Sequence, residues 1–428
     1  MLNYLAIIFF ISIILLIIFL KEKFIYIIPI VLVLLDVFFL EFTFRGYNFS
    51  DIKSIIVLIT LLYLLFHNKI KYFNKNIWII LFLFYSAFKI FDSQNYMRSV
   101  LNFIVINGGF LMFFAGYTNI NSIFKLHKLN KSLCFILFIF IINYVVSNIF
   151  LLGDDAYNIG NYGGNLTRER SFVISLVIIL LPLILRLEPI KKYRIIYSIF
   201  SVLSALIILF LLRRSAIMII IAGFIIIYLY LNKNPFVLII KSAILFLGIS
   251  LLILLSPGLQ KSINNYVGLY EVRGRALDRS IDDQIESEGR SMEIKEIYKE
   301  AISFNDAKLS LIGEGYFVSD DSIGIYGNGV NYGQPMHTMF GQILYYTGFI
   351  GLFVYVMMNV KFIKLFLQIN KTQNKDKLNV FFKAILLSLI LVFIFMNYTK
   401  GLLTPSFGVT IMLYMGALFR ILTNKKHE

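Results

Sequence analysis

Arg213 and Arg214 stand side by side in LLRRSAIMII, between two apolar runs that are each long enough for a membrane helix. A guanidinium is a planar fork of donors that stays charged, grips phosphate oxygens two at a time and sheds water more readily than an ammonium. Such a pair suits a phosphate-bearing ligand. Arg290 lies between Gly289 and Ser291, a good N-cap for the amphipathic stretch GRSMEIKEIYKEAISF, where free backbone amides and a guanidinium would hold an oxyanion together. His337 comes two residues after Pro335, in the first turn of an expected apolar helix. A helix N-terminus disfavours an imidazolium, which favours a neutral ring able to accept a proton as a general base. Arg168 and Arg170, in NLTRERSF, form a further arginine pair before an apolar run. The plain alternative for each is a solvated side chain flanking a helix end.

A membrane bundle must position these residues. The 428-residue chain is 59% hydrophobic and 15% charged, far from the balance of a soluble domain. Apolar runs predict an all-α polytopic membrane protein of about thirteen helices, near 2–20, 24–40, 52–66, 77–91, 99–117, 132–152, 171–187, 195–212, 215–231, 236–256, 338–360, 380–397 and 406–423. The first run has no basic lead and no small-residue cleavage site after it, so it reads as a retained helix. Three regions follow: ten helices over 1–256, one large loop over 257–336 and three helices over 337–428. Links such as HNKIKYFNKN, FKLHKLNK and EPIKKYR are lysine-rich and alternate with lysine-poor ones, which places the lysine-rich set in the cytoplasm and the large loop outside.

This topology separates the two kinds of cation. Eighteen of the 27 lysines fall in the inner links, whereas ten of the 13 arginines face out, Arg45, Arg98, Arg273, Arg275 and Arg279 among them. The positive-inside rule treats lysine and arginine alike, so the segregation points to guanidinium chemistry on the outer side. The large loop holds 13 acidic and 8 basic residues and is acidic, which argues against nucleic acid as a partner. The net charge of +16 comes mainly from inner lysines that suit an anionic leaflet. The single cysteine, Cys134, lies in an apolar run and allows no intrachain disulfide. Lys89, Asp36 and Lys241 interrupt apolar runs.

Three segments in this order resemble the O-antigen polymerase and O-antigen ligase family of envelope polysaccharide enzymes. RRSAIMIIIAG is similar to that family's arginine motif at the outer start of a helix, and assigns its arginine to Arg214. EGRSMEIKEIYKEAISFNDAKLSLIGEGYF resembles its Gly-Arg, short helix and Gly-x-Gly, giving Arg290, Gly313 and Gly315. PMHTMFGQILYYTGFIGL resembles its histidine motif with a following Gly-x-x-Gly, giving His337, Gly348 and Gly351. Thr338 stands where the family usually has asparagine, and Arg213-Arg214-Ser215 replaces its Ser-Arg-Gly. The resemblance covers about residues 160 to 360.

The resemblance implies a GT-C-like glycosyltransferase in the cytoplasmic (inner) membrane with an active site on the extracytoplasmic side. It would take a glycan from undecaprenyl pyrophosphate and transfer it to the hydroxyl of another lipid-linked repeat unit. His337, Arg290 and Arg214 would be catalytic, while Arg213, Arg168, Arg170, Gly313 and Gly315 would bind substrate. Expected partners are the undecaprenyl-pyrophosphate-linked oligosaccharide and membrane lipids, with a chain-length regulator as a further candidate. No cofactor and no metal are expected, because the arginines would do the work of magnesium. A ligase acting on the lipopolysaccharide core is the alternative within the family. A lipid-linked oligosaccharide flippase is the alternative outside it, although short links and charges in a central cavity would be expected there.

Overall fold

The computed structural model describes residues 2–38, 43–44, 47–67, 76–92, 96–150, 163–210, 214–232, 307–313, 315, 339–371, 376–397 and 405–424. In chain order they form α1 (Leu2–Leu20), a 3-10 turn (Lys21–Tyr26), α2 (Ile28–Phe38), β1 (Thr43–Phe44), β2 (Tyr47–Asn48), α3 (Phe49–Phe66), α4 (Ile77–Phe88), α5 (Tyr96–Asn119), α6 (Ile123–Phe150), α7 (Gly163–Leu187), α8 (Lys191–Phe210), α9 (Arg214–Leu231), α10 (Ala307–Ile312), α11 (Met339–Asn370), α12 (Lys377–Met396) and α13 (Pro405–Asn424). The strands pair antiparallel, Thr43 opposite Asn48. Twelve of the thirteen expected helices have a counterpart here. The one near 236–256 lies outside the described residues, as does the amphipathic helix over 289–304.

By length and composition, α5, α6, α8, α11, α12 and α13 are the six described helices able to cross a membrane. Their surfaces agree. On α8 the exposed residues Ile195, Ile199, Val202, Leu206 and Leu209 recur every three or four positions, and α4 shows Ile77, Leu81, Phe84 and Phe88 in the same way. Continuous apolar stripes of this kind have no place on a surface facing water, so lipid is their solvent. The fold is that of a helical membrane protein.

The core is centred on α5 and α13, which pack along much of their length. Gly116 and Gly416 make this possible: a methyl group on either would overlap the facing helix's backbone, at Leu413 and Phe113 respectively. Helices in lipid gain little from burying apolar surface, so close backbone approach through small residues carries their association. Phe82 (α4), Phe110 (α5), Tyr355 (α11) and Phe393 (α12) meet at ring separations of 5.4 to 6.3 Å and are fully buried. Hydroxyls tie α9 into this assembly: Ser175 of α7 donates to the Ala216 carbonyl at 3.1 Å, and Ser388 of α12 to the Gly223 carbonyl at 3.1 Å.

Three helices differ from expectation. α7 starts at Gly163 rather than near 171, so Arg168 and Arg170 lie within it. α6 starts at Ile123 rather than near 132, so the lysine-rich link FKLHKLNK forms its first turns. Ser122 caps it, accepting from Lys125 N–H at 3.4 Å. A hydropathy window registers only the lipid-buried part of a helix, which is why these turns read as a link. The third difference, in α11, bears on function.

Candidate functional site at a broken helix

α11 is not one rod. Gly348 has φ 62° and ψ −168°, a conformation open in practice only to glycine, and it divides the helix into arms over 339–347 and 349–370. The arms fold back on each other. Phe340 and Tyr355 are fifteen positions apart and would lie about 22 Å apart along an unbroken helix, yet their rings are 5.9 Å apart. Asn397, just beyond α12, touches both arms: its carbonyl accepts from Met339 N–H at 3.1 Å and Phe340 N–H at 3.3 Å, and its side chain accepts from the Tyr355 hydroxyl at 2.6 Å.

A break in a helix frees backbone groups at both new ends, and in lipid these need partners from within the chain. The Asn397 carbonyl serves the amides at the start of the short arm. At its far end the Tyr346 carbonyl accepts from Gly315 N–H at 3.1 Å, and the Thr347 carbonyl from the Tyr85 hydroxyl of α4 at 3.1 Å. The short arm is therefore held at both ends by distant parts of the sequence.

Gly313 and Gly315 meet the bend directly. Gly313 has φ 75° and Gly315 φ 96°. A methyl group on Gly313 would come within 2.5 Å of the Thr347 and Gly348 amides, and one on Gly348 would strike the Leu311 carbonyl and come within 2.6 Å of Ile312 N. Backbone lies against backbone where the end of α10 crosses the bend. Lys89, 3% exposed at the end of α4, donates to the Gly313 carbonyl at 3.1 Å and pairs with Asp92. An ammonium buried to this degree needs such partners, because a lone charge away from water is costly.

The arginines form a second group. Arg214 is the first residue of α9, while Arg168 and Arg170 lie in the opening turns of α7. These two helices pack together, joined by the Ser175 to Ala216 hydrogen bond only two residues beyond Arg214. Three of the expected site arginines thus stand on adjoining helix ends. Arg213, Arg290 and His337 lie outside the described residues, His337 two positions before α11 begins.

Sequence reasoning missed Tyr85, Asp92, Tyr355 and Asn397 as members of this arrangement. Only Lys89 carried a signal, as a charge interrupting an apolar run. Among the described residues no three His, Cys, Asp or Glu side chains gather as a metal-binding group. No protein-family model matches the chain, and neither does any curated protein.

Proposed function

We propose that the protein is an envelope polysaccharide polymerase that transfers a glycan from undecaprenyl pyrophosphate to a hydroxyl of a second lipid-linked repeat unit, on the outer face of the cytoplasmic membrane. The observation that carries this reading is spatial. Gly313 of the second motif lies against Gly348 of the third, and Gly315 donates to the Tyr346 carbonyl two positions before it, a crossing that links the large loop to the arm beginning just after His337. The adjoining starts of α7 and α9 bring the backbone positions of Arg168 and Arg170 to the same end of the bundle as Arg214 of the first motif. The thirteen crossings, the outer placement of the loop and the GT-C-like architecture are part of the same proposal.

The chemistry has three parts. The bond from the anomeric carbon to the pyrophosphate oxygen breaks, and the electron pair leaves with the pyrophosphate. Arg214 and Arg290 stabilise the growing charge, with Arg213, Arg168 and Arg170 helping to hold the lipid-linked donor. His337 takes the proton of the acceptor hydroxyl as its oxygen bonds to carbon. With lipopolysaccharide core as acceptor the same steps would make a ligase.

Purified protein given lipid-linked repeat units, without nucleotide sugar and with a chelator present, should build a ladder of longer glycans. Arg214→Lys and Arg290→Lys should each lose at least about tenfold in rate, since the charge remains but the bidentate fork does not. His337→Ala should stop extension while repeats still accumulate in the outer leaflet. A ladder that requires added metal, wild-type rates in both lysine variants, or repeats trapped in the inner leaflet of the histidine variant would each overturn the proposal.

A further inference from the structure

We propose that the starts of α6 and α8 form a binding site for an anionic phospholipid whose headgroup carries two phosphates. The two helices run parallel and in register. Lys131 sits over the Tyr193 ring at 5.9 Å, and Phe138 lies 5.6 Å from Phe200; both pairs are separated by 62 positions. On α6 the exposed residues Phe135, Phe138, Ile142 and Val145 form a stripe that continues through Lys131, Lys128 and Phe124. On α8 the stripe of Ile195, Ile199, Val202, Leu206 and Leu209 continues into Lys191 and Lys192, both exposed. Each lipid-facing stripe therefore ends in two lysines at the same level. That level is where acyl chains give way to headgroups.

The local charge is unbalanced. Helix starts favour anions, yet neither first turn contains an acid, and Ile190, which precedes α8, has no side chain able to cap it. Glu188 is the one acid nearby in sequence, and it faces inward: it is 0% exposed, accepts Ile190 N–H at 3.2 Å and lies 3.5 Å from His127 Nε2. Its backbone carbonyl is taken by Arg194 Nε at 2.6 Å. The outward lysines are left without a carboxylate in these turns. Because they continue surfaces already in lipid, the anion that meets them is a headgroup rather than a soluble phosphate. Packed helices stand 8–10 Å apart, so one phosphate serves the pair on one helix and two phosphates bridge both pairs. Three other exposed lysines differ in setting: Lys364 stands nearly two turns before the end of α11, Lys371 follows directly after that end, where helix carbonyls offset positive charge, and Lys377 follows the capping carboxylate of Asp376 at the start of α12.

The full chain in phosphatidylcholine nanodiscs is titrated with cardiolipin, which has two phosphates, or with phosphatidylglycerol at matched total charge. Retained lipid is counted by native mass spectrometry. Cardiolipin should bind at least about tenfold more tightly, and Lys128→Gln, Lys131→Gln, Lys191→Gln and Lys192→Gln should each weaken it roughly fivefold. The triple change Lys364→Gln/Lys371→Gln/Lys377→Gln should leave it within about twofold. Single substitutions on exposed faces keep the fold, which a melting curve in phosphatidylcholine alone verifies. Equal binding of the two lipids at matched charge, or equal loss in the triple control, would overturn the site.

Discussion

Gly348, Gly313 and Gly315 all have positive φ, but their surroundings differ. Alanine at Gly313 would meet the Thr347 and Gly348 backbone amides at 2.5 Å, and alanine at Gly348 the Leu311 and Ile312 backbone at 2.6 Å or less, whereas at Gly315 the nearest atom is the Asp92 Cβ at 3.0 Å. Positive φ costs a residue with a Cβ about 1–2 kcal/mol, and overpacking against unyielding backbone adds about 1–3 kcal/mol. Gly348→Ala and Gly313→Ala should therefore each lower stability by at least ~2 kcal/mol, with Gly315→Ala clearly milder. Thermal unfolding in nanodiscs checks the order, and a Gly315→Ala that melts first would contradict it. Asn397 is subtler: it is fully buried, its side-chain oxygen holds Tyr355, and its Nδ2 has no hydrogen-bond partner among the described residues.

At the scale of the element, the two arms of α11 make a prediction about distance. With Cys134 replaced by serine, Phe340→Cys and Tyr355→Cys should be joined by a short bismaleimide linker, because the rings they replace are 5.9 Å apart. An unbroken helix would hold those positions about 22 Å apart and give no product. The apolar runs disclosed where nearly every described helix lies, since a run of that length has little choice but to be helical in lipid. They could not disclose the break. FGQILYYTGFIGLF contains no proline and stays apolar on both sides of Gly348, so its hydropathy is the same whether the chain runs straight or doubles back. What decides is non-local: Asn397 at one end of the short arm, Gly315 and Tyr85 at the other. The motif glycines were visible through family resemblance, but not that Gly313 and Gly348 occupy one crossing. The arginines were legible as a chemical class because lysine would have served topology equally well.

At the scale of the molecule, orientation is open to direct measurement. An impermeant maleimide applied to intact cells should label Asp92→Cys, at the end expected outside, and spare Lys192→Cys, exposed at the opposite end. The reverse pattern would invert the bundle and remove the outer arginines from any extracytoplasmic chemistry. The crossing of α5 and α13 also has a consequence in time. Gly116 and Gly416 are 300 positions apart, 416 minus 116. At bacterial and eukaryotic synthesis rates of about 5–20 residues per second, α5 waits roughly 15 to 60 s after leaving the ribosome for the helix against which it packs. Through that interval the Phe113–Gly116 face has no mate, and the newborn bundle depends on lipid, insertion machinery or a quality-control protease holding off. A ribosome stalled anywhere in the large loop would leave a chain with its central seam unsealed, so the cell's surveillance should recognise incomplete copies by that seam before any lack of activity is felt.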